Sequence, residues 1–143
     1  MKKILLTLGL ASGLVLAGCS STPSNPQADK ALYSGMLPCA DCSGIRTSLT
    51  LYSDEKDRPT QYELREEYMD SSRVGHTEVE RGQWTYGNKE MDGTAYRTVV
   101  LNPESEDVES QLRYLETALN ALEMLDINGD RIESELNYTL IKQ

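Results

Sequence analysis

The chain has 143 residues, with 14 Lys or Arg against 23 Asp or Glu, so its formal net charge at neutral pH is −9. So acidic a chain repels nucleic acid, whose binding depends on Lys and Arg replacing counterions. It also lacks the positive charge needed to hold an anionic lipid surface electrostatically. The length gives room for one small domain with a single core.

Residues 1–18 have the pattern of a signal peptide. Lysines follow the first Met, and the apolar stretch over residues 4–17 is shorter than the ~20 residues that span a bilayer. Residues 16–19, Leu-Ala-Gly-Cys, resemble the lipobox of bacterial lipoproteins. That resemblance implies cleavage before Cys19, a diacylglycerol on its thiol and an acyl chain such as palmitate on its amine. Ser20, in place of Asp, implies sorting to the periplasmic face of the outer membrane, where several acyl chains give stable anchoring.

Residues 19–30 are rich in Ser, Pro and Asn and show no apolar periodicity, which predicts a flexible tether that carries the lipidated Cys19. The folded domain is expected over residues 31–143.

Strand patterns dominate this domain. Residues 47–52 alternate Leu49 and Leu51 with polar side chains, and over residues 61–69 only Glu66 interrupts an inward face that includes Leu64. Further strands are predicted at residues 81–86, 95–101 and 137–141, with turns at 54–59, 70–75, 87–88, 92–93 and 128–129. Short strands at this spacing predict an all-β fold, a small antiparallel meander that closes into a barrel or sandwich.

One segment favours a different structure. Val108, Leu112, Leu115, Leu119 and Leu122 recur at spacings of four and three, the stripe of an amphipathic helix. Ser105 is placed to cap it. The residues alone therefore predict a helix in the middle of a β-rich chain.

The stretch LPCADCSG, residues 37–44, contains two of the three cysteines. Cys39 and Cys42 can form a disulfide in an oxidising compartment, bind soft Cu(I) through two thiolates, or exchange thiols. Thiol catalysis is disfavoured, because no helix follows the pair and Asp41 would raise a thiolate's pKa. Met36 is a weaker candidate ligand, through its thioether. A disulfide offers no thiolate to a metal, so the resting oxidation state decides between the first two interpretations.

No catalytic arrangement emerges, and we expect no enzyme activity. The single histidine, His76, lies in a Gly/Thr turn, and no glycine loop suited to phosphate is present. Trp84, in Gly-Gln-Trp, is predicted to be a buried strand residue that fills the barrel. The eight tyrosines argue against a wide apolar pocket, since buried Tyr hydroxyls need partners.

Three stretches together carry a family resemblance: GMLPCADCSGIRTSLTLY, GQW and LEMLDINGDRIESELNYTL. They resemble the N-terminal domain of NlpE-type copper-resistance lipoproteins of the outer membrane. The resemblance implies a small lipocalin-like β-barrel, in which the helical stripe shrinks to at most one short helix around residues 105–120. It also implies a role in copper tolerance and envelope-stress sensing.

Further expectations follow from that resemblance. Cys39 and Cys42 would be the disulfide or Cu(I)-responsive site, with no cofactor required and copper the metal to consider. We expect a monomer held to the membrane by Cys19, with an envelope-stress signalling protein or a lipoprotein as partner. The best-known member of the family has a second, C-terminal domain, and roles that depend on it are not carried over. Two alternatives stay open: a lipocalin-like carrier of a small apolar ligand, and a structural interaction module.

Overall fold

The computed structural model describes residues 24–69 and 75–143. The predicted signal peptide, Cys19 and part of the predicted turn at residues 70–75 lie outside these residues. The described chain forms a closed antiparallel barrel of eight strands, in which each strand pairs with its neighbours in sequence and β8 pairs with β1. The strands are β1 (Asp29–Leu37), β2 (Gly44–Ser53), β3 (Pro59–Met69), β4 (Thr77–Met91), β5 (Thr94–Leu101), β6 (Arg113–Ala118), β7 (Ala121–Met124) and β8 (Thr139–Lys142).

The predicted all-β meander barrel is confirmed. Four of the five predicted strands lie inside β2 to β5, and the fifth overlaps β8. The sequence patterns missed β1, β6 and β7, and β1 begins at Asp29, within the segment predicted as tether. No helix of the described residues has the length and apolar character to cross a bilayer.

Strand alternation builds the core. Leu49 of β2 lies opposite Leu64 of β3, and Leu51 lies opposite Tyr62, so these side chains share the inward face. Tyr62, Tyr114 and several leucines are less than 2% exposed, and they fill the middle of the barrel. Trp84 is buried as predicted, and its Nε1 donates to the backbone oxygen of Tyr52 at 2.8 Å.

The helix predicted from the apolar stripe is wrong for most of its length. The segment is the hairpin of β6 and β7, and the only helix among the described residues is one 3₁₀ turn, Val108–Ser110. Asp107, rather than the predicted Ser105, caps that turn by accepting from the Glu109 backbone N–H at 3.1 Å. Leu119 lies at the hairpin tip and is 92% exposed. Closing the barrel requires strands between β5 and β8, and this pairing overrides the local helix propensity.

Three of the predicted turns have different outcomes. Asp92 and Gly93 have φ of 51° and 74°, as a two-residue type I′ hairpin requires, and they join β4 to β5. Gly87 and Asn88 instead lie inside β4, opposite Thr98 and Arg97. The predicted turn at Asn128-Gly129 is present, but only the glycine has positive φ, so it is not of type I′.

The alternating strand directions give the barrel two chemically different ends. We call one the cysteine end, where the β1–β2, β3–β4, β5–β6 and β7–β8 connections leave the barrel. The other is the N-terminal end, where β1 begins. Residues just before β1 contact this end: the backbone N–H of Asn25 donates to Glu55 and the side chain of Gln27 donates to Gln61, each at 2.8 Å.

Candidate functional site: the Cys39–Cys42 loop

The cysteines lie in a short connection at the cysteine end. Pro38 follows the last residue of β1 and has no backbone N–H, so the β1 ladder stops there. The other end of the loop is tied down by the backbone N–H of Ser43, which donates to the Met69 carbonyl at the end of β3, at 3.1 Å. The loop is therefore held at both sides by the barrel.

Cys39 and Cys42 are joined by a disulfide, with their Cα atoms 5.3 Å apart. Both residues are half-buried, and Asp41 between them is exposed. A carboxylate oxygen of Asp41 and the two sulfurs all lie within 4.8 Å of one another. Within the described residues, this is the one group of three His, Cys, Asp or Glu side chains that converges so closely.

Comparison with known proteins identifies the family. Residues 33–135 match the model of the NlpE N-terminal domain. The chain belongs to that family. Lipoprotein NlpE of Escherichia coli strain K12 is 32% identical over 149 aligned positions, which cover 97% of this chain and 56% of the relative. This NlpE-like lipoprotein chain thus spans little more than half the length of the curated relative.

A solved structure supports the same fold. A crystallised candidate lipoprotein from Shewanella oneidensis aligns with a TM-score of 0.50 and 28% identity, covering 78% of this chain and 86% of the other. The family match over residues 33–135 and the identity to the Escherichia coli lipoprotein confirm the predicted resemblance to the NlpE N-terminal domain.

The predicted thioether ligand lies beside the loop of the NlpE domain. Met36 is exposed on β1, and its side chain packs over Gly44 at the start of β2. A Cβ added to Gly44 would lie 2.8 Å from the Met36 sulfur, so only glycine permits this approach. The Met36 sulfur thus lies against Gly44, the second residue after Cys42.

The oxidised loop and the reduced loop differ in what they can bind. The disulfide holds no free thiolate, so the loop of the oxidised NlpE domain offers a metal the Asp41 carboxylate and no cysteine ligand. Reduction would create two thiolates beside it, the ligand type that Cu(I) prefers. The Asp41 carboxylate opposes this binding, since a nearby negative charge disfavours thiolate formation.

His76 does not join this group. It is exposed just before β4, and its Nε2 lies 3.0 Å from Oε1 of Glu78. Its ring is 6.1 Å from the ring of Tyr68. The structure therefore brings Cys39, Asp41 and Cys42 together and leaves His76 in a separate contact.

A second polar group near the cysteine end was not predicted. Glu66 of β3 lies opposite Glu78 of β4. Glu80 accepts from the Tyr62 hydroxyl and from the Asn102 side-chain amide, and both Glu78 and Glu80 are exposed. The one sequence signal was Glu66, which interrupts the apolar face of its strand. The pattern of that strand could not reveal which groups Glu66 would meet.

Proposed function

We propose that this NlpE-family protein is an outer-membrane lipoprotein anchored through Cys19, and that its Cys39–Cys42 loop is a redox- and copper-responsive site. The observation that carries this proposal is the partly exposed disulfide beside Asp41, in a loop at the end of the barrel opposite the tether. The role is non-enzymatic, and the protein takes part in copper tolerance and envelope-stress sensing.

The strand β1 gives the loop its orientation. Its nine residues, Asp29–Leu37, connect the tether directly to the cysteine loop and span about 26 Å. If Cys19 carries the lipid, the N-terminal end faces the membrane surface and the cysteine loop faces away from it. A copper ion or a periplasmic partner then reaches the loop without passing the lipid headgroups.

The chemistry has two steps. An external dithiol gives two electrons and two protons to the disulfide and is itself oxidised, which leaves Cys39 and Cys42 as free thiols. Cu(I) then binds the two sulfurs as thiolates and releases their two protons, with Met36 as a candidate third ligand. A partner in the envelope would read the changed loop.

The first test is Cu(I) titration of the reduced, purified chain under anaerobic conditions against a competing chelator. We expect binding by the reduced protein, none by the oxidised protein, and none by the Cys39→Ser/Cys42→Ser double variant. Met36→Leu should weaken binding without abolishing it. Equal affinity in the oxidised and reduced forms would refute the proposal.

The second test is growth of a deletion strain on graded copper, complemented with wild type or the double variant. Restored tolerance by wild type alone supports a cysteine-dependent role. Full rescue by the double variant would instead support the structural interaction module. Loss of the lipid should be examined separately, with Cys19→Ala and membrane fractionation.

The alternative of a lipocalin-like carrier has less support. The middle of the barrel is filled by side chains, and an open pocket of about 310 Å³ lies at the N-terminal end instead. In it, Trp84 meets Tyr86 edge-on at 4.9 Å, and the Arg97 guanidinium lies 4.3 Å above the Tyr86 ring. A co-purifying apolar ligand in native mass spectrometry would favour the carrier function.

A further inference from the structure

The chain contacts the N-terminal end of the barrel before β1 begins. The backbone N–H of Asn25 donates to Glu55 at 2.8 Å, and the side chain of Gln27 donates to Gln61 at 2.8 Å. Asn25 is only six residues after Cys19, so even a fully extended chain between them spans at most about 22 Å. A lipid on Cys19 therefore keeps this end of the barrel within about 22 Å of the lipid headgroups.

The tip of the β6–β7 hairpin, at the same end, presents the most exposed large apolar side chain of the described residues. Leu119 is 92% exposed, and residues 117–120, Thr-Ala-Leu-Asn, are all exposed and uncharged. The tip is held in place, because the backbone N–H of Lys142 donates to the Asn120 carbonyl at 2.8 Å. Single exposed apolar side chains are common on proteins, and the place of Leu119 in the fold decides what covers it.

Leu119 lies at the mouth of the barrel, on the side of the predicted anchor. Together with Lys30 and Lys142 it lines the pocket of about 310 Å³ at the N-terminal end. Tyr86, which is 41% exposed, lines the same pocket. Side chains of these types suit the boundary between headgroups and acyl chains, since lysine reaches the phosphates and tyrosine lies at the level of the headgroups.

Net charge does not hold this surface on a bilayer. Three acidic and three basic side chains line the pocket, and their formal charges cancel. They are Asp29, Asp57, Glu116, Lys30, Arg97 and Lys142. The apolar contact of Leu119 must therefore supply most of the attraction. Because salt screens charges and leaves apolar contacts intact, such a contact should persist at high ionic strength.

The space beside this end favours the bilayer over a second copy of the chain. Strand β1 alone is about 26 Å long, which sets a lower limit on the length of the barrel. A second barrel stacked end to end would not fit into the gap of at most about 22 Å that the tether leaves. The headgroups to which Cys19 would be attached already lie within that gap.

We propose that the β6–β7 tip docks on the membrane that carries the lipid of Cys19. Leu119 enters the headgroup layer, and Lys30 and Lys142 lie at the phosphates. This docking rests on the anchoring through Cys19 proposed above. One leucine binds weakly on its own, but the short tether makes the contact intramolecular and so raises its occupancy. The docked barrel points the Cys39–Cys42 loop away from the bilayer.

The test uses the full lipidated chain in vesicles of phosphatidylethanolamine and phosphatidylglycerol. The Asn120→Cys variant has a single free thiol, because Cys39 and Cys42 form a disulfide and the lipid occupies the thiol of Cys19. An environment-sensitive fluorophore on this thiol should shift its emission to the blue and should be quenched by nitroxide-labelled acyl chains. Both signals should persist in high salt.

Matched substitutions in the labelled chain separate docking from folding. Leu119→Asp should lower the ratio of docked to free barrel at least ~10-fold, because the burial of a leucine is lost. Leu136→Asp makes the same change on a leucine that is 61% exposed in the β7–β8 connection at the cysteine end, and it should leave the ratio unchanged. Both variants should unfold in urea as wild type does, since both side chains are exposed. Lengthening the tether about sixfold with Gly and Ser should lower the ratio about 15-fold.

The outcomes distinguish the docking from the anchoring. Mass spectrometry of the same sample shows first whether Cys19 carries lipid, and a chain without lipid overturns both. With the lipid present, the docking alone is overturned if the fluorophore remains in water or if Leu119→Asp docks as wild type does. It is also overturned if the blue shift appears without vesicles, which would mean that copies of the chain cover the tip.

Discussion

Two tyrosines inside the barrel should respond in opposite directions to the same chemical change. The Tyr114 hydroxyl is buried without a partner, whereas the Tyr62 hydroxyl donates to the Glu80 carboxylate. Replacing either residue with Phe keeps the ring and its packing and removes only the oxygen. We therefore expect Tyr114→Phe to stabilise the protein and Tyr62→Phe to destabilise it.

The magnitudes follow from the two environments. An unsatisfied buried polar group costs about 1–3 kcal/mol, so Tyr114→Phe should raise the free energy of unfolding by at least about 1 kcal/mol. A hydrogen bond to a charged group contributes about 1.5–3 kcal/mol, and its loss in Tyr62→Phe should lower the free energy by about that amount. For a domain of this size, each kcal/mol shifts the melting temperature by about 4 °C.

Urea unfolding, followed by the fluorescence of the buried Trp84, measures both values. The slope of the free energy against urea should not change, since neither variant alters the surface exposed on unfolding. A Tyr114→Phe protein that is less stable than wild type would show that the hydroxyl has a partner and would refute this reasoning.

Three further changes test the Cys39–Cys42 loop, the loss of stability at low pH and the closure of the barrel. Reduction of the Cys39–Cys42 disulfide should lower the free energy of unfolding by about 2 kcal/mol, the value for so short a ring; an unchanged urea midpoint with reductant would contradict this. Asp54 accepts from the Arg58 guanidinium at 2.8 Å, and this bond contributes most to lowering its pKa to about 2. Its ionised form is therefore favoured in the folded state, so stability is retained above about pH 4 and lost as the pH falls towards 2. Asp54→Asn should flatten that part of the melting-temperature profile, and a profile with an unchanged slope would refute the assignment. Gly35→Ala places a Cβ 2.7 Å from a backbone oxygen of β8, where β1 and β8 close the barrel. We expect it to lower the free energy of unfolding in urea by about 1–3 kcal/mol. A variant as stable as wild type would mean that the contact between β1 and β8 adjusts without cost.

The strands could be predicted because their alternation is a local property. Leu49 and Leu51 already define the inward face of β2 in the sequence, and the barrel only closes around them. The β6–β7 hairpin could not be predicted in this way. Its turn changes the phase of the apolar residues, so that Leu115, Leu119 and Leu122 imitate a helical stripe although Leu119 is exposed at the tip.

The Cys39–Cys42 pair and the acidic group of Glu66, Glu78 and Glu80 also differ in whether local sequence reveals them. The Cys39–Cys42 pair could be singled out because its members are near neighbours in sequence and a bond between them needs no knowledge of the fold. The acidic group depends on the β3–β4 register, which the sequence does not state. Only the misplaced Glu66 was visible in advance.

The filled interior limits how the two ends of the barrel can influence each other. Ligands cannot pass between the ends through a core of buried tyrosines and leucines, so a change at the cysteine loop reaches the N-terminal end through β1 or through an external partner. β1 pairs with β2 over nine residues but with β8 over only two, which makes the β1–β8 seam the weakest lateral contact of this strand. If β1 carries the change, Gly35→Ala, which loosens the seam, should speed amide exchange at Tyr33 and Ser34 and should alter the response of the tether to reduction of the disulfide. If amide exchange accelerates while the tether responds to reduction as in wild type, a partner bound at the cysteine end recognises the loop directly.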